Sequence, residues 1–221
     1  MKFYSSTILA LFLSLNSLAA EVRSLVEYTG EPKQLSASGV SVNIYPGAKV
    51  GEAQNVVRNA GSGLRWKMVT IIKTNIYVAS HYVDEAAHFG TEDPIETVKN
   101  VNDKVMQLTF VRALTAKDIR NAMETSLRNN KVAVDSPLFQ DIFNQFDFNT
   151  KPGDTMTIVG EKQEDGTEKL TIEFANDHRM PAKVITGQAA GLATDFWKGW
   201  LGYVDFDAGL KELKPKLISI Q

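Results

Sequence analysis

The chain has 221 residues, of which 43% are hydrophobic and 23% charged, a length and apolar content that suit a single domain. Its 24 basic and 26 acidic residues give a formal net charge of -2, which excludes the basic surface expected of a nucleic-acid-binding protein. It contains no cysteine, which excludes disulfides, thiol catalysis, thiolate metal sites and lipidation at a cysteine.

The N-terminus has the pattern of a secretory signal peptide. Lys2 supplies a positive charge, "ILALFLSL" is an apolar run too short to span a bilayer comfortably, and "SLAA" places small residues before Glu21. We therefore predict a signal peptide over residues 1–20 and a single domain over residues 21–221, the alternative being an uncleaved anchor. The predicted location is periplasmic or secreted, with no integral membrane segment after signal removal.

The first half of the mature chain is predicted to form mostly β-strands. "VSVNIY" alternates polar and apolar residues from Val40 and is closed by Pro46 and Gly47. The run from Leu64 to Val83 and the run "KVMQLTFVRAL" are rich in β-branched and aromatic residues, which favours strands in both.

Helices are predicted from Thr115 onward. In "LTAKDIRNAMETSL", Thr115 is a candidate N-cap with Asp118 three residues later, and the apolar spacing predicts an amphipathic helix. "DSPLFQDIFNQF" repeats this pattern, with Ser136 as the cap and Pro137 at the first helical position.

The C-terminal third predicts a hairpin and two short helices. Two alternating runs flank Asp165-Gly166, a strong hairpin signal, and "ATDFWKGWLG" and "DAGLKELKPKLI" follow as helices. We expect Trp197 and Trp200 to pack in the core rather than form a stacking platform for a ligand. The order of elements predicts an α+β domain built on an antiparallel sheet with helices gathered on it.

Motifs for cofactors, metals and nucleophilic catalysis are weak. "GSG" at Gly61 is not followed by a helix pattern, which favours a turn over a nucleotide site. His81, Glu85 and His88 have metal-ligand spacing only if their segment is helical, and it reads as a strand running into a loop. No serine lies in a nucleophile-elbow sequence. We therefore predict no catalytic residue, no metal and no cofactor.

Arg65 carries a permanent charge at the head of the Leu64–Val83 run. Burying it without a partner would cost several kcal/mol, so Arg65 requires an anion if it is buried. Three alternatives are open: an internal Asp or Glu, plain exposure, or a ligand carboxylate held by two hydrogen bonds.

Five motifs in order resemble the chalcone isomerase-like proteins, in particular their bacterial exported branch. The motifs are "GSGLRWK", "NIYVASHYV", "LTFVRALTAKDIRNAME", "FWKGWLG" and "LKELKPKL", and the likeness covers roughly Leu35 to Ile218. The resemblance implies an open-faced β-sandwich, in which a large antiparallel sheet carries helices across it with a cleft between.

The family includes isomerases that close a flavanone ring and relatives that bind fatty acids. In the isomerases an arginine holds the nucleophilic oxygen of the substrate, assisted by tyrosine, asparagine and threonine. In the fatty-acid-binding relatives the arginine and a tyrosine grip the carboxylate. Arg65 matches the shared arginine, and Tyr77 is the best match to the binding tyrosine.

The catalytic positions of the isomerases have changed in this chain. Matching the motifs without gaps places the catalytic tyrosine near Asp118, the asparagine at Thr125 and the threonine at Gly199. No tyrosine occurs between Tyr82 and Tyr203, so small gaps do not restore one. Ring closure is therefore expected to be slow or absent.

Arg65 and Tyr77 can share one ligand only if the chain turns back between them. A continuous strand of twelve residues would separate them by roughly 40 Å. The candidate turns are Lys73-Thr74-Asn75 and the residues around Lys67, and the sequence does not choose between them.

The favoured hypothesis is a non-catalytic exported protein that binds a fatty acid or a similar amphiphilic carboxylate, with Arg65 and Tyr77 as ligand-binding residues. The alternative is an intramolecular lyase, an isomerase of the chalcone type, acting on another substrate. A third hypothesis is an envelope interaction protein without a ligand.

Overall fold

The computed structural model describes residues 24–85, 87–89, 93–177 and 181–219. The predicted signal peptide lies outside these residues. The described strands are β1 (Val26–Thr29), β2 (Lys33–Ala37), β3 (Val40–Ile44), β4 (Gly47–Val50), β5 (Asn55–Val69), β6 (Ile72–Asp84), β7 (Asp103–Phe110), β8 (Thr155–Lys162), β9 (Glu168–Ala175) and β10 (Pro181–Ala189). The helices are α1 (Pro94–Asn100), α2 (Ala116–Asn129), α3 (Pro137–Asn144), α4 (Leu192–Leu201) and α5 (Ala208–Leu213), followed by a 3₁₀ helix at Lys214–Ile218. None of these helices has the length and apolar character needed to span a bilayer.

The described strands build one large antiparallel sheet with helices packed on it, which confirms the predicted α+β fold. Eight of them pair in the order β1-β4-β5-β6-β7-β8-β9-β10, while β2 and β3 form a separate hairpin. Alternate residues of β7, such as Met106 and Leu108, point toward the helices and join the main core with Phe143, Phe196 and Trp197. The helix-covered face of the sheet therefore carries most of the apolar packing.

Several local predictions are confirmed. Helix α2 begins with a capping box in which the Thr115 side chain accepts from the Asp118 backbone N–H and the Asp118 side chain accepts from Thr115. Strands β8 and β9 form the hairpin predicted around Asp165 and Gly166. The C-terminal helices are present as α4 and α5. Strands β1, β2, β4 and β10 and helix α1 were not predicted.

The strand-like run from Leu64 to Val83 is a hairpin, so the chain does turn back between Arg65 and Tyr77. The chain reverses at Thr70-Ile71, between the two candidate turns, and Val69 pairs with Ile72. Thr70 has a φ of 58°, an uncommon conformation for a β-branched residue. The turn contains no Gly, Asn or Asp, the residues that usually signal such a conformation in a sequence. One extra residue in β6, Ile76, then shifts the register of the pairing by one residue. As a result, Arg65 pairs with Tyr77.

The glycines of "GSG" lie within β5, not in a turn. A Cβ at Gly61 would lie 2.0 Å from the backbone oxygen of Lys216 in the 3₁₀ helix, and one at Gly63 would lie 2.9 Å from Leu213 Cδ1. These glycines therefore allow the C-terminal helices to pack directly on the strand.

Replacing Gly61 by alanine is expected to lower the free energy of unfolding by about 1–3 kcal/mol, because the new methyl group forces the 3₁₀ helix away from β5. Urea unfolding would measure the change. Gly199→Ala is the matched control, since its Cβ would meet its nearest neighbour, Leu127 Cδ2, at an ordinary 3.5 Å. Equal stability of the Gly61→Ala variant and the natural protein would contradict the close packing.

Candidate ligand-binding cleft

A cavity of about 300 Å³ lies between the sheet and helices α2, α4 and α5. Strand β5 contributes Arg65 and Lys67 to its lining, and β6 contributes Ile76 and Tyr77. The rest of the lining is mainly apolar and includes Leu108, Phe110, Ile119, Met123, Met156 and Leu210. An apolar cleft with a few charged and polar groups is typical of a small-molecule site.

Arg65 is buried in this lining, with 6% of its surface exposed. Its Nη2 donates to Asp207 Oδ2 at 2.6 Å, so the internal carboxylate partner, one of the alternatives left open by the sequence, is present. The Arg65 Nη1 is also buried and has no hydrogen-bond partner among the described residues. The guanidinium therefore has one donor group that the described residues leave without a hydrogen bond.

Asp207 has two roles at the start of α5. Its Oδ2 accepts from Arg65, and its Oδ1 accepts from the backbone N–H of Leu210 at 3.0 Å as the N-cap. The Asp207 side chain is 30% exposed, against 7% for that of Arg65. Asp207 is therefore partly hydrated. Replacing it as the partner of Arg65 by another carboxylate would cost less free energy than replacing a fully buried partner.

Tyr77 lies beside Arg65 because the two residues are register partners. Its hydroxyl accepts a hydrogen bond from Trp200 Nε1 at 3.0 Å. Burial raises the pKa of Tyr77, against the opposing effects of the Arg65 charge and the Trp200 hydrogen bond. Tyr77 is therefore a neutral phenol at physiological pH, able to donate its hydroxyl hydrogen to a ligand oxygen.

The positions matched to the isomerase side chains also lie in this cleft. Asp118, Thr125 and Gly199 all line it. Asp118 is engaged in the capping box, whose hydrogen bonds from Thr115 lower the pKa of its carboxyl group, and Thr125 Oγ1 donates to the Asn121 carbonyl. Gly199 has no side chain. The three positions thus lack the tyrosine, asparagine and threonine side chains that the resemblance associates with ring closure.

The two C-terminal tryptophans pack in the core, as predicted. Trp197 is fully buried and its Nε1 donates to His81 Nε2 at 3.0 Å. Trp200 is also buried, but it lines the cleft and binds Tyr77, a role that the sequence did not indicate. Asp207 was likewise missed, because no local pattern links it to Arg65, 142 residues earlier.

The histidine cluster considered for a metal does not assemble. His81 is buried beneath the C-terminal helices, where its Nδ1 lies 2.9 Å from the Leu217 carbonyl oxygen, while Glu85 follows the end of β6. Among the described residues, no three His, Asp or Glu side chains are arranged to hold a metal ion.

Comparison with known proteins identifies the family. The sequence model of the family described as chalcone isomerase-like matches residues 41–213, which include the cleft-lining residues from Arg65 to Leu210. No curated protein matches this sequence. The large antiparallel sheet with helices packed on it agrees with this match, and the chain belongs to the chalcone isomerase-like family.

Proposed function

We propose that this protein binds a fatty acid or a similar amphiphilic carboxylate in its cleft, in the periplasm or outside the cell. The observation that carries the proposal is the pairing of Arg65 with Tyr77 in the wall of an otherwise apolar cleft. A guanidinium with an unused Nη1 and a neutral phenol together match the two oxygens of a carboxylate.

The apolar lining accounts for the rest of the ligand. Each methylene buried against Leu108, Phe110 or Met156 contributes about 0.8 kcal/mol before ordering costs are subtracted. A volume of about 300 Å³ is at the lower end for small-molecule pockets. We therefore expect affinity to rise from octanoate to laurate and then to level off once the chain outgrows the cavity.

The proposed role is binding without catalysis. Asp118, Thr125 and Gly199 occupy the positions matched to the isomerase side chains, so the cleft offers little to orient an enone or a reacting water. The isomerase alternative would still use Arg65, as the group that holds an enolate or phenolate oxygen.

Calorimetric titration of laurate into the purified protein tests the proposal. Arg65→Ala is expected to weaken binding about ten- to a hundredfold, because a hydrogen bond to a charged group contributes about 1.5–3 kcal/mol. Tyr77→Phe is expected to weaken it less, since a neutral donor is lost while the ring stays. Asp207→Asn is expected to leave binding intact or strengthen it, because asparagine still caps α5 but no longer competes for Arg65 with a full charge.

Arg128→Ala is the matched control. Arg128 also pairs with an aspartate, Asp135, but on the surface and outside the cleft, so its loss should not change laurate affinity. Thermal unfolding of every variant separates folding from binding, and Tyr77→Phe gives an independent result if Arg65→Ala is unstable. The proposal fails if Arg65→Ala and Tyr77→Phe both bind laurate as the natural protein does. If the natural protein turns over chalcone-like enones and Arg65→Ala does not, the isomerase is favoured. If the natural protein neither binds laurate nor turns over enones, the envelope interaction protein is favoured.

A further inference from the structure

The hairpin of β5 and β6 extends beyond the large sheet. Strand β4 pairs only with residues 55–58 of β5, and the pairing of β7 with β6 begins at Tyr77. From Trp66 to Asn75, the described strands therefore pair only with each other. The far end of the hairpin is a two-stranded ribbon with no third strand beside it.

The end of this ribbon is unusually apolar for an exposed turn. The hairpin apex, defined as Met68–Ile72, carries four large aliphatic side chains that are between 42% and 86% exposed, with Ile71 the most exposed. Single exposed aliphatic residues are common on protein surfaces, but a cluster of four at one projecting point indicates a binding surface.

Lysines flank the apex on both strands. Lys67 and Lys73 are both exposed, immediately before and after the apex. The Lys73 Nζ lies 4.0 Å from the Trp66 ring centroid and 3.7 Å from Glu212 Oε2, in a solvent-exposed pair that leaves the ammonium accessible. When an apolar apex enters the acyl region of a bilayer, flanking lysines lie at the level of the phosphate groups.

We propose that the hairpin apex inserts into the surface of a phospholipid bilayer that contains anionic lipids. A small convex apex is a poor protein interface, because stable complexes bury about 800 Å² on each partner. A fluid bilayer, in contrast, closes around a projecting point, and its anionic headgroups complement Lys67 and Lys73. This inference rests on the exposure and charge of the hairpin and not on the proposed ligand.

The apex is also continuous with the cleft. Val69 pairs with Ile72 and lies on the same face of β5 as Lys67 and Arg65, since alternate residues of a strand share a face. Arg65 and Lys67 line the cleft. Docking through the apex would therefore bring this side of the cleft close to the membrane.

Co-sedimentation with vesicles of equal parts phosphatidylcholine and phosphatidylglycerol, without added fatty acid, tests the inference. Ile71→Ser combined with Ile72→Ser is expected to lower the vesicle partition coefficient at least about tenfold, because two aliphatic side chains no longer favour insertion. Lys73→Gln is expected to lower it about fivefold on these vesicles and to have little effect on phosphatidylcholine alone.

Val56→Ser is the matched control. Val56 is 54% exposed on the same strand, but it lies roughly 40 Å from the apex, so its replacement should not change partitioning. The inference is overturned if the natural protein does not bind these vesicles, or if the double apex variant partitions equally well. It is also overturned if the apex holds two copies of the chain together, seen as a dimer that the apex variant dissociates in sedimentation. The double apex variant should keep its laurate affinity. If the natural protein does not bind laurate, that result rejects the proposed function but not the membrane contact of the hairpin apex.

Discussion

Replacing Lys104 by methionine is expected to lower the free energy of unfolding by about 3–5 kcal/mol, because it leaves a buried carboxylate without its cation. Lys104 is fully buried on the helix-facing side of β7, and its Nζ donates to Glu168 Oε1 at 2.8 Å. Methionine fills a similar volume, so the loss of charge pairing is the main change. Urea unfolding near neutral pH would measure it.

Glu168 is important because it also caps α4. The N-cap of α4 is Gly191, which has no side chain to bind the first backbone N–H groups. Glu168, which lies on β9, caps the helix instead. Its Oε2 accepts from the Thr194 backbone N–H at 2.7 Å, and its Oε1 accepts from Thr194 Oγ1 at 2.8 Å. The Lys104–Glu168 pair therefore fixes the start of the helix that carries Trp200 into the cleft.

The neighbouring pair of Lys169 and Glu161 provides the control. Their charged atoms lie 3.7 Å apart, and the lysine side chain is 45% exposed, so Lys169→Met is expected to cost no more than about 1 kcal/mol. Adding Glu168→Gln to Lys104→Met should recover part of the lost stability, because the neutral amide still accepts from Thr194. If the two lysine variants were equally stable, the buried pair would contribute no more than a surface pair.

The same pair predicts a loss of stability in acid. Burial alone would raise the pKa of Glu168, but hydrogen bonds from Lys104 and Thr194 outweigh it, and the pKa is lowered overall. A carboxylate with a lowered pKa in the folded state stabilises the protein above its ordinary pKa, and this contribution is lost as the pH falls toward the folded value. Lys104→Met should reduce this acid sensitivity.

The parts of the fold with strong local signals were predictable from the sequence. The capping box at Thr115 and the hairpin at Asp165-Gly166 combine a specific turn or cap residue with a regular apolar period. Strand β10 lacks both, since in Pro181–Ala189 only Ile185 is fully buried and the remaining residues alternate between half-buried and exposed. A strand at the edge of a sheet needs fewer apolar residues and is correspondingly hard to recognise.

The residues of the cleft were predictable singly, but their arrangement was not. Arg65 is a charged residue in an apolar run, and its need for an anion if buried follows from the cost of an unpaired buried charge. Its proximity to Tyr77 depends on a turn at Thr70-Ile71 that has no sequence signal and on one inserted residue. Its pairing with Asp207 depends on the packing of α5, which the sequence does not encode locally.

The stability of the protein is expected to depend on His81 between about pH 6.5 and pH 4. Burial, together with the nearby Lys104 charge, lowers the pKa of His81 from 6.5 to about 4, although the bond to Leu217 opposes the shift. The unfolded chain therefore takes up the proton first as the pH falls. The contribution of neutral His81 is complete above pH 6.5 and is lost toward pH 4, and the shift corresponds to about 3 kcal/mol.

Asp103 acts in the opposite direction over part of this range. Burial, followed by the charge of Asp84, raises the pKa of Asp103 to about 6, so the folded state takes up this proton first and gains stability as the pH falls below 6. Asp103→Asn should therefore make the acid-induced loss steeper. His81→Asn should make it shallower, because asparagine does not titrate but still offers a donor to the Leu217 carbonyl.

The pH slope of stability is the decisive measurement, since His81→Asn also lowers stability at every pH by removing the acceptor for Trp197. Urea unfolding of the natural protein and of His81→Asn at a series of pH values between 7 and 4 would give both slopes. Identical slopes would mean that the pKa of His81 is the same in the folded and unfolded states. A shallower slope would instead show that acid acts on the contact joining β6, α4 and the C-terminal 3₁₀ helix. Because α4 also carries Trp200, protonation of His81 would then loosen the same helix that holds Tyr77 beside Arg65.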